Sequence, residues 1–129
     1  MSFVLINNTR GSLKQIERLP LQKFSKAILG AKYDLSLTFV TSKEIKTLNK
    51  KYRNINKPTD ILSFPLEKKA GQIVMNTVSA REESKNFDME YIPFIQFLFI
   101  HGCLHLKGMT HGSRMESKER LFLKKFKII

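Results

Sequence analysis

Pro93-Phe94-Ile95-Gln96-Phe97-Leu98-Phe99-Ile100-His101-Gly102-Cys103-Leu104-His105-Leu106-Lys107-Gly108-Met109-Thr110-His111 is the stretch on which the reading of this chain turns. Its first half is apolar apart from Gln96. Pro93 suits the first position of a helix, where a missing N–H costs nothing, and Gly108 suits the left-handed turn that ends one. The expected element is a helix from Pro93 to Leu106, too short to span a bilayer and apolar enough to need cover. The buried face of a sheet would supply that cover.

The second half of the stretch carries all three histidines of the chain. Chance alone would place three scattered histidines in one such window about two times in a hundred, before the spacing is considered. On a helix, His101 and His105 share a face and lie roughly 6 Å apart along the axis, close enough for their imidazoles to converge on one ion. A chain reversal at Gly108 would bring His111 back as a third ligand. Three protein ligands leave one position of a tetrahedral zinc open for water, the pattern of a catalytic rather than a structural site. Copper and nickel also accept three imidazoles. Cys103 falls two residues from each histidine, hence on another face, and is expected to pack rather than ligate.

Working outward, residues 1–129 read as one domain. Phe3 to Asn7 reads as a strand. Apolar residues recur at helical intervals from Ser12 to Leu29, broken at Pro20 and stopped at Gly30. Tyr33 to Val40 alternates as a strand with Leu35, Leu37 and Phe39 on one face. Thr41 and Glu44 form a capping-box pattern that opens a helix to about Tyr52. Ile61 to Phe64, closed by Pro65, and Gln72 to Asn76 read as a hairpin pair around the turn Glu67 to Gly71. Val78 to Met89 reads as a charged helix. Ser113 and Glu116 form a second capping-box pattern before a final helix, with Met115, Leu121, Phe122 and Phe126 toward the core. The fold class expected is α+β, a single domain with one small mixed β-sheet covered by helices.

Composition narrows the partners. With 23 Lys and Arg against 11 Asp and Glu, the chain carries a formal charge of +12, which favours a polyanion: nucleic acid first, then an anionic membrane surface or another acidic partner. The lysines at 50, 51, 57, 68, 69, 107, 124, 125 and 127 are candidate phosphate contacts. One cysteine forms no internal disulfide, and the N-terminal residues lack a secretory pattern, so the expected location is cytoplasmic.

The spacing His-x3-His-x2-Gly-x2-His is that of metzincin proteases. Those enzymes carry a glutamate base directly after the first histidine, where this chain has Gly102, so a hydrolytic but non-proteolytic site is expected. A second stretch, Asn49, Tyr52-Arg53 and Thr59-Asp60-Ile61-Leu62-Ser63-Phe64-Pro65, joins the histidine run in order and at suitable separation. Together they resemble the YbeY family of bacterial ribosomal RNA maturation factors, from about Leu37 to the C-terminus. The resemblance implies a zinc-dependent, single-strand-specific endoribonuclease acting in small-subunit ribosomal RNA maturation and ribosome quality control. It implies His101, His105 and His111 as ligands of one zinc ion, and Arg53 as the catalytic arginine. An arginine there would grip a phosphate through two hydrogen bonds and stabilise charge developing on its oxygens. The nucleophile would be water on the zinc or the ribose 2′-hydroxyl.

Lys57, Thr59 and Ser63 are further candidates for substrate binding, and Asp60 for a supporting role. Two positions depart from the family pattern: Thr110 stands where an aspartate usually precedes the third histidine, and Gln72 stands where an aspartate usually follows glycine. A non-enzymatic RNA-binding assembly factor with a structural metal is the alternative from another class. A metalloprotease is the third.

Overall fold

The computed structural model describes residues 2–129. Its elements in chain order are β1 (Phe3–Asn8), α1 (Lys14–Glu17), α2 (Leu21–Leu29), β2 (Asp34–Val40), α3 (Ser42–Arg53), β3 (Ile61–Glu67), β4 (Ala70–Met75), α4 (Thr77–Asn86), α5 (Tyr91–Leu106) and α6 (Ser113–Lys125). The strands form one mixed sheet in the order β1-β2-β4-β3, with β1, β2 and β4 parallel and β3 antiparallel to β4 at one edge. The architecture is the α+β class expected, with the hairpin of β3 and β4 in place.

The period-2 alternation of the strands decides which helices cover which face. Leu35, Leu37 and Phe39 of β2 join Ile73 and Met75 of β4 in the main core, with Phe3 and Leu5 packed at its margin. On the other face Val40, Leu62 and Val74 form a smaller core under Ile45 and Leu48 of α3. The main core is organised by α5, which packs against β3, β4, α1, α2, α4 and α6. Phe94, Ile95, Leu98, Phe99, Ile100, Cys103 and Leu104 are all buried there. Each large apolar side chain of that set contributes about 1.5–3 kcal/mol by leaving water.

Close approach of α5 to the sheet depends on Gly102. A Cβ at that position would lie 3.0 Å from the Cδ1 atoms of both Ile61 and Ile73, and 3.2 Å from Ser63 Oγ. The residue that argued against a protease on chemical grounds is therefore also a packing necessity, and its position faces β3 and β4. Cys103 is fully buried, as a packing residue should be, and burial pushes its thiol far above the ordinary range.

Several local expectations are corrected. Pro65 does not close β3; the strand continues to Glu67 with an irregularity between Pro65 and Glu67, and an edge strand tolerates the missing N–H. Helix α5 starts at Tyr91 after Glu90, so Pro93 is its third residue, still inside the first turn where its N–H is not needed. Ser113 is not a cap: Gly112 holds that position, with no side-chain hydrogen bond, and the second capping box does not form. Leu121 is half exposed, whereas Leu123 takes the buried place. Helix α4 stops at Asn86, short of Met89. At α3 the first capping residue holds, since Thr41 Oγ1 accepts a hydrogen bond from Glu44 N at 3.2 Å.

Candidate metal centre

The last turn of α5 presents His101 and His105 on one face, both partly buried. The helix then ends in a Schellman turn: Gly108 takes φ +102, its N–H bonds His105 O, and Met109 N bonds Leu104 O. That reversal carries His111 back to the first two rings. The ring centroids of His101, His105 and His111 are 4.6, 4.8 and 5.1 Å apart pairwise. One nitrogen from each ring falls in a group within 4.8 Å of one another.

Hydrogen bonds on the far side of two rings fix which nitrogen faces inward. His105 Nδ1 donates to the carbonyl of Met109 at 2.9 Å, and His101 Nδ1 donates to the carboxylate of Glu119 at 2.5 Å. An imidazole that donates from Nδ1 in its neutral form keeps a lone pair on Nε2. The Nε2 atoms of His101 and His105 are 3.1 Å apart, so two lone pairs confront each other. This arrangement is repulsive without a cation between them. Two zinc–nitrogen bonds in tetrahedral geometry put their nitrogens about 3.3 Å apart, so the donor set fits a metal ion held by three imidazoles. Burial, then the neighbouring His101, holds His105 below the ordinary histidine range, which favours the neutral ligating form.

Glu119 was not foreseen from sequence. It lies on α6 four residues after buried Met115 and four before buried Leu123, so an acid occupies the apolar stripe of a helix. That misplaced charge is the signal that could have found it. Its carboxylate accepts the His101 Nδ1–H, and this hydrogen bond ties α6 to α5 at the metal centre.

Two cavities open onto the histidines. One, of about 680 Å3, is lined by Tyr52, Arg53, Thr59, Ser63, Phe64 and the three histidines. Arg53 ends α3 and makes no ion pair or side-chain hydrogen bond among the described residues, so its guanidinium is free to meet an anion. Ser63 Oγ donates to Gly102 O at 3.5 Å, and Thr59 Oγ1 lies 3.5 Å from Asp60 Oδ1. The other cavity, of about 830 Å3, shares His101, His111, Thr59 and Asp60 but is acidic, with Glu82, Glu83, Glu116 and Glu119. Lys57 lines this second cavity and not the first, apart from Arg53. Burial and then Glu83 raise the Asp60 carboxyl above its ordinary range, partly countered by its own backbone hydrogen bonds and by His101.

The candidate lysines do not line one groove. Lys68, Lys69 and Lys107 surround a third cavity of about 470 Å3 with Lys32 and Tyr33, and Lys107 Nζ donates to Ile28 O at 2.9 Å. Lys50 and Lys51 lie on α3, and Lys124 and Lys125 at the end of α6. Of the two departures, Thr110 is exposed and makes no hydrogen bond to His111, while Glu119 and the Met109 carbonyl orient the other two rings. Gln72 Nε2 reaches Thr38 Oγ1 at 3.5 Å on the α3 face of the sheet, away from the histidines.

The sequence model of the family described as Endoribonuclease YbeY matches residues 6–129. A relative of that name in Aliarcobacter butzleri is 40% identical over 74% of this chain and 74% of its own. Another in Alkaliphilus metalliredigens is 30% identical over 92% of this chain and 89% of its own. A solution structure of a Thermotoga maritima protein aligns with a TM-score of 0.62 at 26% identity, covering 94% of this chain and 87% of that one. No helix among the described residues is long and apolar enough to cross a membrane.

Proposed function

The chain belongs to the endoribonuclease YbeY family, and from that premise we propose that it is a zinc-dependent, single-strand-specific endoribonuclease. Its substrate in this reading is small-subunit ribosomal RNA, cut in the cytoplasm during maturation and ribosome quality control. The observation that carries the reading is the pair of inward-facing Nε2 atoms, 3.1 Å apart, in the same cavity wall as an unpaired arginine.

His101, His105 and His111 would hold one zinc ion. When bound, such an ion supplies Lewis acidity and a water acidic enough to deprotonate near neutral pH. The protein's own groups do the rest. Glu119 and the Met109 carbonyl hold two rings in the tautomer that turns Nε2 inward. Arg53 grips a phosphodiester through two N–H donors and stabilises the charge that grows on its oxygens in the transition state. Thr59 and Ser63 border the same cavity, where their hydroxyls can turn from their long 3.5 Å internal contacts to the strand, whereas Lys57 stands in the acidic neighbouring cavity, off the path of the strand. Gly102 offers no side chain to act as base, which speaks against peptide hydrolysis.

The test pairs elemental analysis of tag-free protein with cleavage of unstructured RNA, with and without chelator. About one zinc per chain and chelator-sensitive cleavage are expected. His105→Ala should lose both metal and cleavage, whereas Arg53→Ala should keep the metal and lose about 10²–10³ in rate. Cleavage indifferent to chelator and to both substitutions overturns the reading. RNA binding by the zinc-loaded protein with no cleavage would instead make it an assembly factor with a structural metal. A 2′-deoxy substitution at the scissile nucleotide distinguishes the nucleophiles: cleavage survives if water attacks and stops if the 2′-hydroxyl does.

A further inference from the structure

Tyr52 precedes Arg53 and belongs to no core. Its side chain is 57% exposed, a large aromatic surface left in the wall of the cavity that holds Arg53 and the histidines. The ring is braced by Phe64, which meets it at 5.0 Å between centroids and an interplanar angle of 63°. Phe64 is itself anchored against the smaller core under α3. Lys51 Nζ sits over the Tyr52 ring, 5.2 Å from its centroid, on an exposed side chain that a base could displace. An aromatic ring that is braced by Phe64, more than half exposed and flanked by Lys51 and Arg53 has the composition of a nucleic-acid stacking platform.

The charge of the neighbouring cavity fixes the side from which a strand arrives. Four of the protein's 11 acidic residues, Glu82, Glu83, Glu116 and Glu119, line that cavity and not the Tyr52 one, against Lys57 and Arg120, while Asp60 borders both. A polyanion is repelled there and drawn to the Tyr52 side, where Arg53 is the unpaired charge.

We propose that Tyr52 stacks on a base of the substrate next to the scissile phosphate, and that this contact selects unpaired RNA. Bases in a duplex have both faces covered by their neighbours, so only a splayed or unpaired nucleotide offers a face to the ring. The proposal rests on the endoribonuclease reading for its substrate class and adds the residue that reads strandedness. Tyr52 binds the substrate; it transfers no proton.

The experiment measures binding separately from cleavage. Full-length protein held metal-free by chelator is titrated with a short unstructured RNA bearing 2-aminopurine, and with a fully paired hairpin of the same length. Wild type should quench the 2-aminopurine. Tyr52→Ala should bind the unstructured RNA about 5- to 150-fold more weakly and lose the quench, with hairpin affinity unchanged. Tyr52→Phe should restore both binding and quench, because the ring and not the hydroxyl stacks. If Tyr52→Ala does not fold, as judged by circular dichroism, Tyr52→Leu keeps bulk against Phe64 without the stack and should show the same selective loss. Wild-type affinity and quench in the Ala or Leu variant overturns the proposal, as does an equal loss for both RNAs. Stacking by a wild-type protein that never cleaves leaves this proposal standing while removing the catalytic one. Cleavage with an unchanged KM in Tyr52→Ala does the reverse.

Discussion

Removing the carboxylate of Glu119 should weaken zinc binding without removing a ligand. The carboxylate receives His101 Nδ1–H at 2.5 Å, and the two side chains are only 18% and 11% exposed, so the contact is little diluted by solvent. It performs two tasks, holding the ring plane and keeping the proton on Nδ1 so that Nε2 faces His105. Loss of a partner of this kind lowers metal affinity by about 10- to 100-fold, or about 1.4–2.7 kcal/mol. Glu119→Gln keeps an oxygen that can accept the same proton but gives up the charge, so it should fall near the tenfold end. Glu119→Ala leaves a buried N–H without a partner and a ring free to rotate, so it should approach the hundredfold end. Competition for zinc against a chromophoric chelator at fixed pH reads both values, and melting of the metal-free proteins tests whether either variant is merely unfolded. Should both variants hold zinc within twofold of wild type while remaining folded, the carboxylate neither organises the site nor sets the His101 tautomer.

Three further outcomes follow from packing and charge. Gly102→Ala gains about 1 kcal/mol of helix propensity but crowds Ile61 and Ile73, an overpacking of about 1–3 kcal/mol, so urea unfolding should show a net loss of between about 0 and 2 kcal/mol. Gly102→Glu would bury a carboxylate against β3 and β4 and should lose about 4 kcal/mol or more, rather than gaining protease activity. The folded state raises the Asp60 pKa, so its ionisation opposes folding; this penalty is absent below the ordinary carboxylate range and grows as pH rises through the raised value. Metal-free Asp60→Asn should therefore melt above wild type at neutral pH and converge with it in acid; a lower melting temperature at neutral pH would refute this. Cys103, fully buried and with its thiol held protonated, should resist thiol reagents in the native protein and react at once in denaturant.

The parts of this fold legible in sequence were those written in a local period. The alternation of Leu35, Leu37 and Phe39, the apolar run of α5, the Thr41 cap and the turn at Gly108 each depend on neighbours within a few residues, and each stands close to where the pattern puts it. Element ends were less legible, because they depend on tertiary cover: β3 runs through Pro65 only because its outer edge is unpaired. The histidine cluster was legible because a helix and one turn assemble it from a single segment. Glu119 was not, because its partner lies 18 residues away and only the packing of α6 on α5 joins them. The split of Lys57 from Arg53 was equally hidden: three loop residues, Asn54 to Asn56, separate a cavity holding Arg53 from one crowded with glutamates, a division no linear pattern records.

This division of labour explains how so apolar a helix can carry a polar site. Gly102, Cys103 and Leu104 face the sheet and core, so His101 and His105, flanking them by helical rotation, are forced to the rim of the same helix. The Schellman turn then does double duty. Its Met109 N–H closes on Leu104 O to end the helix, while the carbonyl of the same residue fixes the ring of His105. A substitution at Gly108 that straightened the turn would displace Met109 and His111 together, removing one ligand and loosening a second in a single step. The remaining ligand, His101, is held from outside the segment by α6, whose hold depends on Met115 and Leu123 reaching the core on either side of Glu119. Metal affinity in this chain is thus coupled to the docking of its last helix. Conversely, zinc bound at the three histidines should protect α6 amides from exchange, although α6 itself contributes no ligand.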